Sequence, residues 1–144
     1  MITNLLTDIC RIRKLYREYL KDARQKHSLS ECEADVLLFL HNNPDMDMAN
    51  QIAEYRIMPK ANVSKAVDSL MQKGMLSSVR DSDDRRKIHL KITDNASNAI
   101  NDIVFAQDKY KRRLFDGFTE AELRCHFEFL QKISQNAGAF SERK

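Results

Sequence analysis

Two short segments of the sequence concentrate hydrogen-bond donors on lysine, arginine, amide and hydroxyl side chains. Lysine and arginine donate to phosphate oxygens, and asparagine, serine and arginine also suit the donor and acceptor groups of base edges. The chemistry that these segments predict is therefore binding to a polyanion rather than bond breaking. The candidate contact residues are Lys60, Ala61, Asn62, Ser64 and Lys65 in the first segment, and Asp84, Arg85, Arg86 and Lys87 in the second.

Positive charge is concentrated in the same part of the chain, although the formal net charge of all 144 residues is only +3. Residues 56–91 contain nine Lys and Arg against four Asp and Glu, whereas residues 30–55 contain six Asp and Glu and no Lys or Arg. A compact basic block is typical of a surface that binds phosphate groups. The alternative interpretation is a solvated face of mixed charge.

Short helices are expected to carry the first donor segment. Ser30-Glu31-Cys32-Glu33 is a capping box, which predicts a helix that begins at Ser30 and stops before Pro44. Residues 48–56 predict a short helix, and Pro59 at a first helical position predicts another helix that ends just before Gly74.

A β-hairpin is expected to carry the second donor segment. Ile88, Leu90 and Ile92 alternate with polar residues, so residues 75–80 and 87–92 predict two strands joined by a charged loop. Apolar residues three and four positions apart predict long amphipathic helices in residues 1–29 and from an N-cap at Thr93 onward.

These elements predict a mainly α fold with a small β-hairpin wing. Residues 30–92 would form a winged helix-turn-helix, and residues 1–29 and 93–144 a helical dimerisation region. In a helix-turn-helix the second helix enters the major groove of DNA, and here that helix begins near Pro59. No catalytic motif, phosphate-binding glycine loop or zinc-protease motif is present, so we expect no enzymatic activity and no cofactor.

The sequence resembles the MarR family of bacterial transcription regulators over roughly residues 29–96. The motif stretches are Gln51–Glu54, Val63–Leu76 and Asp84–Thr93, and the most specific is Asp-Arg-Arg before an apolar alternation that ends in Thr. Four positions depart from the family pattern. Arg56 lies where the family usually has an apolar residue, and Ile57 lies where a turn Gly is common. Pro59 replaces a typical Ser or Thr cap, and Ala96 replaces a frequent Gly.

The resemblance implies a homodimer that binds a pseudo-palindromic site on double-stranded DNA, regulates transcription as a repressor and is released by a small-molecule effector. The first, fifth and sixth helices would interlock with those of a second subunit. Arg86 would project into the minor groove while Asp84 braces it, and Arg85 and Lys87 would contact phosphates; the alternative for Arg86 is a surface salt bridge. Another alternative for the whole chain is a helical adaptor that does not bind DNA.

The resemblance also implies an effector site where the dimerisation helices meet the winged helix. Arg11, Arg13 and Arg17 on the first helix would suit an aromatic carboxylate. Each of the expected wall residues could equally belong to the core. Those wall residues are Ile9, Ile12, Tyr16, Phe39, Leu40 and His41.

Three widely spaced cysteines, Cys10, Cys32 and Cys125, match no common zinc pattern, so we expect no metal site. Cys10 is a redox candidate, because some members of the resembled family sense oxidants through a cysteine in the first helix and basic residues follow it here. The alternative is a small buried apolar residue. Without a run of 18 apolar residues or a signal peptide, we expect a protein of the cytoplasm with no membrane partner.

Overall fold

The computed structural model describes the backbone of residues 2–141 and the side chains of residues 4–138, so position 1 and positions 142–144 of the predicted helical regions lie outside the described residues. The mainly α fold with a β-hairpin is confirmed. Its elements are α1 (Ile2–Lys26), α2 (Glu31–Asn42), α3 (Ala49–Arg56), α4 (Lys60–Gln72), β1 (Leu76–Arg80), β2 (Ile88–Ile92), a 3-10 turn (Asp94–Ala96), α5 (Ser97–Leu114) and α6 (Glu120–Ser141).

The chain divides into two compact units, Met1–Tyr110 and Lys111–Lys144. The first unit contains both donor segments. The predicted boundaries at residues 30 and 93 separate a DNA-binding region from a dimerisation region, which is a division by function and not by packing. They stay a prediction.

Helix α2 lies at the centre of the first unit. Its residues Val36–Leu40 are all buried, which is the pattern of a helix that is covered on every side. Buried apolar residues of the surrounding elements complete this core, and burying each large side chain contributes roughly 1.5–3 kcal/mol. They include Ile52 of α3, Val63 and Leu70 of α4, Leu76 and Leu90 of the hairpin, and Ile103 of α5.

Local hydrogen bonds fix where the helices begin. The capping box predicted at Ser30 is confirmed, since its hydroxyl accepts from the Glu33 N–H at 3.1 Å and its own N–H donates to the Glu33 carboxylate at 2.6 Å. Pro59 is the N-cap of α4 and not its first helical residue, because its ψ of 130° is extended. Gly74 has a φ of 68°, the left-handed conformation that was predicted for the end of this helix.

The prediction that Thr93 caps α5 is wrong. Thr93 precedes a 3-10 turn, and α5 begins at Ser97. The Thr93 hydroxyl donates instead to the Gly74 carbonyl at 2.6 Å, and the Thr93 N–H donates to the Met75 carbonyl at 3.1 Å. These bonds attach the end of β2 to the turn between α4 and β1, so they hold the base of the hairpin.

In the second unit, α6 follows a second capping box in which the Glu122 carboxylate accepts from the Thr119 N–H at 2.8 Å. Phe115 makes ring contacts with Phe118 and Phe127. Helix α6 also exposes a set of large apolar side chains, each more than 45% accessible. They are Phe127, Phe129, Leu130 and Ile133.

Glu33 is a charged side chain that the fold buries, with 4% of its surface exposed. Its carboxylate accepts from the Lys73 ammonium at 2.7 Å, and the same ammonium donates to the Ser28 carbonyl at 2.7 Å. Burial raises the pKa of the Glu33 carboxyl, but the hydrogen bonds from Lys73, the Ser30 N–H and Ser69 outweigh that effect and lower the pKa to about 2. This pair joins the start of α2 to the residue that follows α4.

We expect Lys73→Met to reduce the free energy of unfolding by roughly 1.5–3 kcal/mol, because the buried Glu33 carboxylate loses its charged donor. Since the folded-state pKa of the Glu33 carboxyl lies below its ordinary value of 4.5, the stabilisation is present above about pH 4.5 and is lost as pH falls toward about 2. Urea unfolding across this pH range measures both effects. Lys26→Met is the control, because Lys26 pairs with Asp102 at an exposed site, where solvent screening leaves an ion pair little net effect on stability. Equal losses in the two variants would contradict the expectation.

Candidate nucleic-acid interface

Helices α3 and α4 form a helix-turn-helix on the α2 core. Val63, Ala66, Val67 and Leu70 bury one face of α4, and the three- and four-residue spacing of these apolar positions leaves the opposite face in solvent. The residues of α4 that were predicted to contact DNA are all exposed. They are Lys60, Ala61, Asn62, Ser64 and Lys65.

The turn between α3 and α4 contains a backbone conformation that is unusual for its residue type. Ile57 has a φ of 51° and a ψ of 50°, and 91% of its surface is exposed. A left-handed β-branched residue costs about 1–2 kcal/mol, which explains why a glycine suits such a turn. The Met58 N–H donates to the Ala53 carbonyl at 2.9 Å, so the turn is closed by backbone bonds despite that cost.

The wing is an antiparallel hairpin whose strands pair from Leu76 with Ile92 to Arg80 with Ile88. Asp81 organises the loop at its tip, since one carboxylate oxygen accepts from the N–H of Asp83 at 2.8 Å and of Asp84 at 2.9 Å. These backbone bonds, together with a hydrogen bond to His89, lower the pKa of Asp81 to about 2. The carboxylate is therefore ionised at neutral pH and the loop keeps its shape.

Asp84 braces Arg86 through the backbone. Its carboxylate accepts from the Arg86 N–H at 3.0 Å, and its carbonyl accepts from the Lys87 N–H at 2.9 Å. The side chains of Arg85, Arg86 and Lys87 are exposed, and none of them forms a salt bridge within the part of the chain that the structure describes. The structure thus presents three cationic side chains from a loop that backbone hydrogen bonds organise.

His89 connects the wing to the segment that precedes α3. Its Nδ1 lies 2.7 Å from an Asp47 carboxylate oxygen, and its Nε2 lies 3.1 Å from an Asp81 carboxylate oxygen. The Leu90 N–H also donates to the Asp47 carbonyl at 2.8 Å. Sequence reasoning missed this connection, because nothing in the sequence marks an aspartate 42 positions before a histidine as its partner.

A cleft of about 540 Å³ lies in the first unit between α1, α2 and the α3–α4 turn. The Arg56 guanidinium donates to the Asp35 carboxylate at 2.8 Å, and Arg17 lies 3.1 Å from Glu31. Burial raises the pKa of Asp35, against the opposing effect of Arg56. The lining consists of Arg13, Tyr16, Arg17, Leu20, Arg24, Glu31, Ala34, Asp35, Tyr55, Arg56, Ile57, Met58, Pro59 and Asn62.

The structure does not bring the six expected effector residues together. Tyr16 lines the cleft, and its hydroxyl accepts from the Gln107 amide at 2.9 Å. Phe39 and Leu40 are buried in the core, although the Phe39 ring packs on Tyr55, which lines the cleft. The remaining three are exposed and are not part of its lining: Ile9, Ile12 and His41.

All three cysteines are free thiols. Cys10 and Cys125 are exposed, and Cys32 is partly buried with its Sγ 3.5 Å from the Asn62 carbonyl. Among residues 2–141, no group of His, Cys, Asp and Glu side chains has an arrangement that could hold a metal ion. The helices described here include none that is long and apolar enough to span a bilayer.

Comparison with known proteins gives one consistent result. Residues 28–87 match the model of the MarR family. The HTH-type transcriptional regulator BilQ of Clostridioides difficile (strain CD3) is 20% identical over 116 residues, which cover 81% of this chain and 78% of the relative. The resemblance to the MarR family that the sequence indicated is thereby confirmed.

Solved structures agree in fold. A MarR protein from Peptoclostridium difficile superimposes with a TM-score of 0.82 at 21% identity, covering 93% of this chain and 87% of that one. The S. aureus MepR structure, a complex with DNA, superimposes with a TM-score of 0.79 at 15% identity, covering 95% of this chain and 96% of that one.

Proposed function

We propose that this chain is a transcription regulator that binds double-stranded DNA of a specific sequence. The proposal starts from the match of residues 28–87, which contain the helix-turn-helix and the wing loop, to the MarR family. It acts as a homodimer on a pseudo-palindromic operator, represses transcription, and is released by a small-molecule effector. The similarity to MepR, whose structure is a complex with DNA, supports the DNA-binding part of this proposal.

The observation that carries the proposal is the exposed, donor-rich face of the winged helix-turn-helix. Helix α4 exposes Lys60, Asn62, Ser64 and Lys65, which suit phosphates and base edges in the major groove. The wing exposes Arg86, which suits a narrow minor groove because that groove concentrates negative potential and a guanidinium is weakly hydrated. In this proposal Arg85 and Lys87 contact the flanking phosphates.

We expect Arg86→Ala to weaken binding to a duplex that the purified protein has selected from random DNA by roughly 1–3 kcal/mol, the range for a specific contact. Fluorescence anisotropy titration measures the change. Arg11→Ala is the matched control, since it removes the same charge from an exposed site on α1 that pairs with Asp8. Unchanged affinity in a folded Arg86→Ala protein would overturn the wing assignment, and failure to select any duplex would favour the adaptor alternative.

Exposed apolar side chains on the terminal helices support the homodimer. Ile9 and Ile12 on α1, and Phe129 and Ile133 on α6, are each more than 40% accessible. Apolar stripes of this kind mark association surfaces. A two-fold dimer would also hold two α4 helices at the fixed separation that successive major grooves require, about 10 base pairs.

We expect the protein to sediment at twice its chain mass of 16.8 kDa. Ile133→Glu should shift the equilibrium toward the monomer, because it places a charge in the apolar stripe of α6. Gln131→Glu adds the same charge two positions away on that helix and serves as the control. A wild-type protein that sediments as a monomer at micromolar concentration would contradict the dimer.

The cleft next to the α3–α4 turn is the effector site that we propose. Its lining contains four arginines and two carboxylates, so its charge favours an anion, and the Tyr16 ring offers an aromatic surface. Arg13 forms no salt bridge with the described residues, which leaves its guanidinium for a carboxylate ligand. A ligand there contacts both α1 and the turn that determines the position of α4. To weaken DNA binding tenfold, the ligand must bind the DNA-free conformation about 1.4 kcal/mol more tightly than the DNA-bound one.

We expect salicylate at millimolar concentration to release the selected duplex from the wild-type protein, and Arg13→Gln to reduce that response severalfold because the carboxylate loses its bidentate donor. Arg11→Gln is the control for lost charge on α1. The effector proposal fails if salicylate and related aromatic acids release no DNA. If, in addition, a thiol oxidant releases DNA from the wild type but not from Cys10→Ser, redox sensing through Cys10 replaces it.

A further inference from the structure

Asp47, His89 and Asp81 form a bridge whose two ends belong to different parts of the first unit. Asp47 lies in the segment between α2 and α3, which leads into the helix-turn-helix, and Asp81 follows β1 at the start of the wing loop. The His89 ring lies between them, at 2.7 Å from Asp47 and 3.1 Å from Asp81. Each of the three side chains is about 30% exposed, so solvent protons reach the ring.

The geometry of the bridge requires a charged ring. A neutral imidazole has one N–H donor and one acceptor nitrogen, whereas an imidazolium has two donors. Both ring nitrogens of His89 face carboxylate oxygens, which only accept, so a neutral ring leaves one nitrogen lone pair against a carboxylate. Loss of the proton therefore breaks one of the two hydrogen bonds, and the longer contact, to Asp81, is the weaker one.

The Asp81 end of the bridge controls the wing loop. One oxygen of this carboxylate faces His89, while the other accepts from the N–H groups of Asp83 and Asp84. Asp84 in turn accepts from the Arg86 N–H. A continuous set of hydrogen bonds therefore runs from the segment before α3, through the His89 ring, to the backbone of the wing-tip arginine.

We propose that His89 is a positioning residue whose protonated ring fixes the wing on the helix-turn-helix, so that DNA affinity falls when the ring loses its proton. This inference rests on the proposed DNA-binding function. The residue opposite His89 in β1 is the apolar Val79, and Lys91 lies two positions along its own strand. The charged groups that face the ring from other elements are thus the carboxylates of Asp47 and Asp81.

The direction of the pH effect follows from these partners. The hydrogen bonds to Asp47 and then Asp81 raise the pKa of His89 above its usual value. A raised pKa means that the bridge is intact at and below the ordinary histidine range and is lost as pH rises through the folded-state value. DNA binding should therefore weaken toward alkaline pH.

The first test measures binding of the selected duplex by anisotropy at constant ionic strength, at about pH 6 and about pH 9. We expect wild-type affinity to fall roughly three- to tenfold at the higher pH, the scale of the net contribution of one typical hydrogen bond. His89→Gln should bind at the weaker level at both pH values. His27→Gln is the matched control, because His27 also pairs with a carboxylate, that of Asp102, but joins α1 to α5, and it should keep the wild-type pH dependence.

The second test needs no DNA, so it separates failure of the bridge from failure of the proposed function. In the ¹⁵N-labelled wild type, the amide resonances of Asp83 and Asp84 should titrate with the same midpoint as the His89 ring. Asp47→Asn removes one facing carboxylate, so it should lower that midpoint, and it also serves if His89→Gln does not fold. Amides that stay unchanged while His89 titrates, or a His89→Gln protein that keeps the wild-type pH dependence of binding, would overturn the proposal.

Discussion

The first unit depends on the burial of Val36–Leu40 in α2. A helix with five consecutive buried apolar residues has no solvent face along that stretch, so other elements must cover every side of it. Buried apolar residues of α1, α3, α4, the hairpin and α5 do so. The exposure of the outer face of α4 is thus a geometric consequence of its apolar inner face, while its positive charge comes from Lys60 and Lys65.

Salt bridges pair the acidic residues that surround this core. The acidic side chains near the start of α2 are neutralised locally: Glu33 by Lys73, Glu31 by Arg17 and Asp35 by Arg56. Only the first of these pairs is buried, and there the carboxylate would be costly without its partner. These pairs use Arg17, Arg56 and Lys73, whereas the lysines at the start of α4 and the arginines of the wing tip form no salt bridge among the described residues.

The wing is attached to this body by polar contacts more than by apolar ones. Its strands contribute few buried side chains, chiefly Leu76 and Leu90, while the Thr93 hydroxyl holds its base through Gly74. The His89 bridge adds a link that depends on charge. Attachment by a few hydrogen bonds allows the orientation of Arg86 to respond to solution conditions, which a larger apolar contact would not permit.

The sequence by itself determined the order of helices and hairpin, since periodicity, the capping box at Ser30 and Gly74 are local signals. It also indicated which residues of α4 and of the wing are exposed, because the apolar positions of each element leave one face for solvent. Local signals failed to predict the role of Thr93, because its hydroxyl bonds to the Gly74 carbonyl, 19 positions away. They marked Ile57 as a departure from the family pattern but did not predict its left-handed backbone. The arginine-lined cleft and the His89 bridge were decided by tertiary structure alone, because each joins side chains from segments that only the packing around α2 brings within hydrogen-bonding distance.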